Sequence, residues 1–201
     1  MNREQQNQLK ELRKTFPKIC RELASEYKLK RKDYSFFAIK GDLFFDTVII
    51  ISVNDNDDCI CSTRERVKPM WMDEMLWDLL EMPENKKAPV SLRAVGAFAV
   101  SGVETYGRAT ILNEWSTEEL RTTLEEHILH FKESIENVTM DDFIKGLDQP
   151  YHGDVRKAIY YIHEGRYQEA LDAVGDSTGV FKNQGTDIND AIRSYCKKEL
   201  K

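Results

Sequence analysis

Residues 43 to 53 read LFFDTVIIISV, and the fold turns on how that stretch is placed. In an extended chain successive side chains alternate, so Phe45, Thr47, Ile49, Ile51 and Val53 take one face and Phe44, Asp46, Val48, Ile50 and Ser52 the other. Both sets are largely apolar. That predicts a strand in the middle of a sheet, shielded on both sides and packed with helices. Asp46 is the one ionisable group in the run, and because burial raises a carboxyl pKa it is a candidate acid, base or polar anchor.

The flanks supply partners. Tyr34 to Lys40 reads as a strand joined by a Gly41-Asp42 turn, and Cys59 to Val67 as a third strand after Asn54-Asp55-Asn56-Asp57-Asp58, which gives an antiparallel meander. Asn54, Asn56, Asp58 and Glu65 match places in a calcium-loop pattern. Cys59 stands where that loop needs its glycine, however, and the flanks read as strands, so a solvated hairpin turn is expected. Upstream, Leu9, Leu12, Phe16, Ile19, Leu23 and Tyr27 draw one helical stripe, with Pro17 expected to kink the helix or start a second one. Lys28, Lys30, Arg31 and Lys32 read as a solvated helix end or loop.

Downstream, Pro69 opens a helix that runs to about Met82. Its core stripe is Trp71, Met72, Met75, Leu76, Leu79, Leu80 and Met82. Met70 and Trp77 fall instead in the sector of Asp73, Glu74, Asp78 and Glu81. Either a second layer packs there, the favoured reading, or Met70, Asp73, Glu74 and Trp77 form a partner-binding surface. Residues 92–100 and 103–112 are expected as two further strands, on which Arg93 and Arg108 are candidate anion anchors, with helix as the fallback for the first. Ser116 or Thr117 caps a helix with the stripe Leu120, Leu124, Ile128, Phe131, Ile135 and Val138. His127 and His130 lie on it without an evident third ligand, so they read as polar edge residues, and no metal or cofactor is expected.

After a short helix from Met140 to Leu147, Asp148-Gln149-Pro150 breaks the chain. Two helices follow, stopping at Gly165 and Gly175, and a last one is capped by Asp187. The segment AIYYIHEGRYQEAL, Ala158 to Leu171, resembles one unit of a tetratricopeptide-type repeat, a family whose concave side binds peptides; no second copy is visible, and a single hairpin is expected to cap the domain. The order of helix, GDLFF hairpin, WMDEMLW helix and repeat-like hairpin also resembles small α+β proteins of bacterial genomes, which implies a fold and no activity. The expected architecture is α+β: a mostly antiparallel sheet of about five strands packed with helices over residues 1–148, then a helical subdomain over 149–201.

Residues 1–40 carry eleven Lys or Arg against five Asp or Glu, and residues 41–201 carry eighteen against thirty. The acidic body disfavours nucleic acid and anionic membrane as partners. No apolar run is long enough to span a bilayer and no signal pattern opens the chain, so a cytoplasmic protein is expected, with its four cysteines reduced and buried. Phosphate loops, GxSxG elbows and CxxC pairs are all missing from the sequence, which leans away from an enzyme. The expectation is a protein-interaction or accessory module, immunity-like in one version, with another protein as its partner. The alternative is a small-ligand-binding protein or small enzyme with a pocket between sheet and helices, using Asp46, Arg93 and Arg108.

Overall fold

The computed structural model describes residues 1–201 and has the α+β class expected. Two compact units are built from alternating pieces of the chain: residues 1–67 with 104–139, and residues 68–103 with 140–201. These differ from the expected break after residue 148, because residues 68–103 group with the C-terminal helices.

The first unit begins with α1 (Arg3–Glu26), where Asn2 and Gln5 form a reciprocal capping box. Pro17 sits inside α1 without ending it. The sheet follows in chain order: β1 (Lys30–Lys32), β2 (Ser35–Lys40), β3 (Leu43–Val53), β4 (Cys59–Pro69) and β5 (Val103–Leu112). All five strands are antiparallel neighbours, so the meander extends across the whole sheet and β3 is its central strand. Of the basic cluster, Lys30, Arg31 and Lys32 form edge strand β1, paired Arg31 to Phe36, in place of the solvated helix end or loop expected. The turn after β3 is held by Asn54, whose Oδ1 accepts from the amides of Asn56 (3.0 Å) and Asp58 (2.9 Å), as a solvated Asx-type turn does.

In the β2–β3 register Phe36 faces Thr47 and Ala38 faces Phe45, and this inner face continues on β4 through a 2.7 Å hydroxyl contact between Thr47 and Thr63. The apolar stripes of α1 and of α4 (Thr117–Asn137) are buried with it: Leu12, Phe16, Ile19 and Leu23 from α1, and Leu120, Leu124, Ile128 and Phe131 from α4. The expected two-sided shielding of β3 holds only for its first half. Phe44, Phe45, Asp46 and Thr47 are buried, whereas Ile50 on the outer face is 52% exposed and Ser52 is exposed.

The second unit holds α2 (Met70–Leu79), α3 (Leu92–Val95), α5 (Met140–Lys145), α6 (Gly153–His163), α7 (Tyr167–Val174), a small hairpin of β6 (Lys182–Asn183) with β7 (Thr186–Asp187), and α8 (Ile188–Glu199). Helices α6 and α7 pack as a hairpin, α7 packs on α8, and α2 packs on both α6 and α8. Gly165, at φ +71°, makes the left-handed turn between α6 and α7. Residues 92–100 are not a strand: 92–95 form α3 and the remainder is irregular. The reason is where their backbone groups bond. Lys68 Nζ donates to the carbonyls of Arg93 (2.9 Å) and Val100 (2.7 Å), Trp77 Nε1 donates to that of Phe98 (2.6 Å), and the Val100 amide donates to Asp73 (2.9 Å). Side chains thus take the partners a strand ladder would need.

Candidate interaction surface

The expected ligand anchors do not converge. Asp46 is buried on the outer sheet face, where Nε of Arg66 from the neighbouring strand donates to it at 3.1 Å. Arg108 is on β5 and pairs with Glu126 of α4 at 3.6 Å, on the opposite, inner side of the same sheet. Arg93 belongs to the second unit. Its guanidinium donates to the Met70 carbonyl (2.6 Å) and to Glu74 (2.8 Å), lies 3.4 Å from Asp73, and stacks over Trp77 at 4.8 Å.

The expected partner face is mostly interior. Trp77 is 1% exposed and Asp73 is fully buried, while Met70 and Glu74 are half-buried. Asp73 can be inside because Lys68, itself 1% exposed, bonds it at 3.0 Å and Arg93 approaches from the other side. A buried charge persists when it is paired and its remaining lone pairs are filled. Within the acid-bearing sector of α2, Asp73 and Trp77 are therefore core while Asp78 and Glu81 stay exposed, and the lysine that neutralises Asp73 lies on the preceding strand.

One cluster was not anticipated. Glu65 lies on the inward row of β4 (Cys59, Cys61, Thr63, Glu65, Val67) and is 1% exposed. Ser134 Oγ donates to it at 2.5 Å, and His130 Nδ1 meets its other oxygen at 2.9 Å. The His130 ring stacks on Tyr106 with centroids 3.7 Å apart. Burial pushes the Glu65 carboxyl up, with the Ser134 and His130 hydrogen bonds opposing that shift. The carboxylate sits between histidine and serine, so the imidazole is not placed to take the serine proton, and the order needed to activate a nucleophile is not present. Its signal in the sequence was the alternation of β4 combined with the four-residue spacing of His130 and Ser134. The neighbouring thiols are inert: burial raises Cys20 and Cys61 to about 12, and all four cysteines are buried and free.

A cleft of about 270 Å³ in the second unit is lined by residues 148–152, by the first turn of α6 and by Ser177, Thr178 and Asn189. Tyr151 and His152 are left-handed there, at φ +71° and +60°, and the buried Arg156 binds the carbonyls of Leu147 (3.2 Å), Gln149 (2.6 Å) and Tyr151 (3.2 Å). The cleft is small and polar, and none of Asp46, Arg93 and Arg108 lines it.

What the first unit does present is the far half of its outer sheet face. Ile50 and Ile111 are 52% and 51% exposed, Gly107 and Ala109 are exposed, and Val48 and Ile60 are half-buried. Thr105 Oγ1 bonds the Glu65 carbonyl at 3.4 Å, and a Cβ on Gly107 would lie 3.9 Å from that of Thr63. Continuing this antiparallel register brings Ile111 to the start of β4, beside Ile60. Half-exposed isoleucines on adjoining strands make an apolar surface of the kind that marks a contact site. No family's model matches the chain, and neither a curated protein nor a solved structure does. No helix is long and apolar enough to cross a membrane.

Proposed function

We propose that this chain is a protein-interaction module, an accessory protein of the cytoplasm, and that it meets its partner with the far half of the outer sheet face. The observation that supports this reading is the apolar group of exposed Ile50 and Ile111 with half-buried Val48 and Ile60, on a sheet whose other face is packed with α1 and α4. Burying half-exposed isoleucines supplies binding free energy, at roughly 25 cal/mol per Å² of apolar surface removed from water. The net charge of −6 adds long-range attraction for a basic partner, as an inhibitor or immunity-like protein would use.

The test is site-specific photocrosslinking in the cell of origin, with the crosslinker at Ile50 and, as a control, at Leu129 on α4, which is 49% exposed. A discrete protein adduct from position 50 that is missing from position 129, and that is lost in Ile111→Glu, is the expected result. Identical patterns from the two positions, or no adduct at either, would overturn the reading.

A further inference from the structure

The two edges of the five-stranded sheet are built differently. At one end β1 has only three residues, Lys30, Arg31 and Lys32, all basic. Short length and like charge are how an edge is kept from pairing with another chain. At the other end β5 has ten residues, VETYGRATIL, with neither proline nor lysine, and Glu104, Gly107, Arg108, Ala109 and Ile111 along it are exposed. A long edge of this composition leaves a row of backbone groups to be paired, and a sheet that protects one edge so thoroughly leaves the other for use.

The charges of β5 indicate what pairs there. Glu104 and Arg108 are its two charged residues, of opposite sign and equally spaced about Tyr106. Antiparallel pairing of β5 with β5 about a two-fold axis at Tyr106 sets Glu104 of each copy opposite Arg108 of the other, and Thr105 opposite Gly107. Every other centre within the strand loses this match, and an axis at Arg108 would set like charges face to face. Cross-strand partners of opposite charge favour pairing, and like charges directly opposite disfavour it. The Arg108–Glu126 pair at 3.6 Å joins two half-exposed side chains, so it holds Arg108 only weakly. Gly107 has no side chain of its own to meet the approaching strand; the Glu104 carboxylate lies over it, 2.8 Å from where a Cβ would be, and turns from there to Arg108 of the other copy.

We propose that a second copy of this chain docks on the β5 edge in this register, making a two-fold dimer with one continuous ten-stranded sheet. This goes beyond the partner-binding reading and does not depend on it, since pairing uses the strand edge while that reading uses the sheet face.

The full-length protein tests it by sedimentation and by disulfide trapping. Arg108→Glu sets two like-charge pairs against each other and is expected to weaken dimerisation about tenfold, as is Glu104→Arg. The double variant Glu104→Arg/Arg108→Glu is expected to restore it. Tyr106→Cys places identical residues across the axis, with Cα atoms about 4.5–5.5 Å apart, and is expected to oxidise to a covalent dimer; Leu129→Cys is not. The native thiols are all buried, so they do not compete. A wild-type protein that sediments as a monomer at about 100 μM would overturn the proposal. So would a dimer indifferent to the charge swaps, or one that Tyr106→Cys fails to trap. Loss of the Ile50 photoadduct with the dimer intact would count against the partner reading alone.

Discussion

Two buried groups on the inner side of the first unit titrate in opposite senses. Burial raises Glu65 above its ordinary 4.5, so between that value and the folded value the native state holds a proton the unfolded chain has released. Its contribution to stability is therefore largest at acid pH and falls as the pH rises through the folded pKa. His127 is 1% exposed with Nε2 unpartnered, and burial lowers it below 6.5. The unfolded chain takes up that proton first, so stability is lost as the pH falls below 6.5. Glu65→Gln should remove the limb along which stability falls as the pH rises above 4.5, and His127→Phe the limb along which it falls as the pH drops below 6.5, each read as the difference from wild type in urea midpoints between about pH 4 and pH 8. A limb that keeps its slope in the matching variant would contradict the assignment. At this scale much of the site was hidden in the sequence. The alternation of Cys59 to Val67 marks Glu65 as inward, but only tertiary packing brings His130 and Ser134 to it.

Local periodicity was enough to read β3, the hairpin turn, α4 and the Asp187-capped α8, because in each the apolar or capping residues are neighbours along the chain. It failed at residues 92–100, where Leu92, Ala94, Gly96, Phe98 and Val100 alternate as in a strand while the backbone bonds go to Lys68, Asp73 and Trp77. It was ambiguous for the acidic sector of α2 for the same reason: the neutralising Lys68 and Arg93 come from other elements. Asp73 is thus the anchor of an element to which it does not belong. Asp73→Ala leaves the buried Lys68 without a carboxylate and Arg93 with Glu74 alone, and should cost about 3–5 kcal/mol. It should also release the Val100 amide, which donates to Asp73 at 2.9 Å. Denaturant unfolding and hydrogen exchange at Val100 check this together. A variant that loses stability while Val100 stays protected would show that the segment is held by something else.

For the molecule as a whole, the discontinuous course of the chain governs what can be cut away. Residues 68–103 group with 140–201, so a fragment ending at residue 148 keeps α2 but removes α6 and α8, on which α2 packs. Trp77 and Leu76, each at most 1% exposed in the full chain, would lose much of their cover. The 1–148 fragment is therefore expected to show red-shifted tryptophan emission, to bind a hydrophobic dye and to unfold without one cooperative transition. The first unit should tolerate a different cut. Thr105 bonds the Glu65 carbonyl, so Val67 and Glu104 emerge side by side from antiparallel neighbours, and a turn of about two to five residues can join them. A chain of 1–67, such a turn and 104–139 retains the whole meander, α1 and α4, with the inner-face core that they share. It should unfold cooperatively and keep the pH limb set by Glu65. If the 1–148 fragment proved the cooperative one and the spliced chain did not, the boundary would lie after α5, and the partition of the chain into these two units would be wrong.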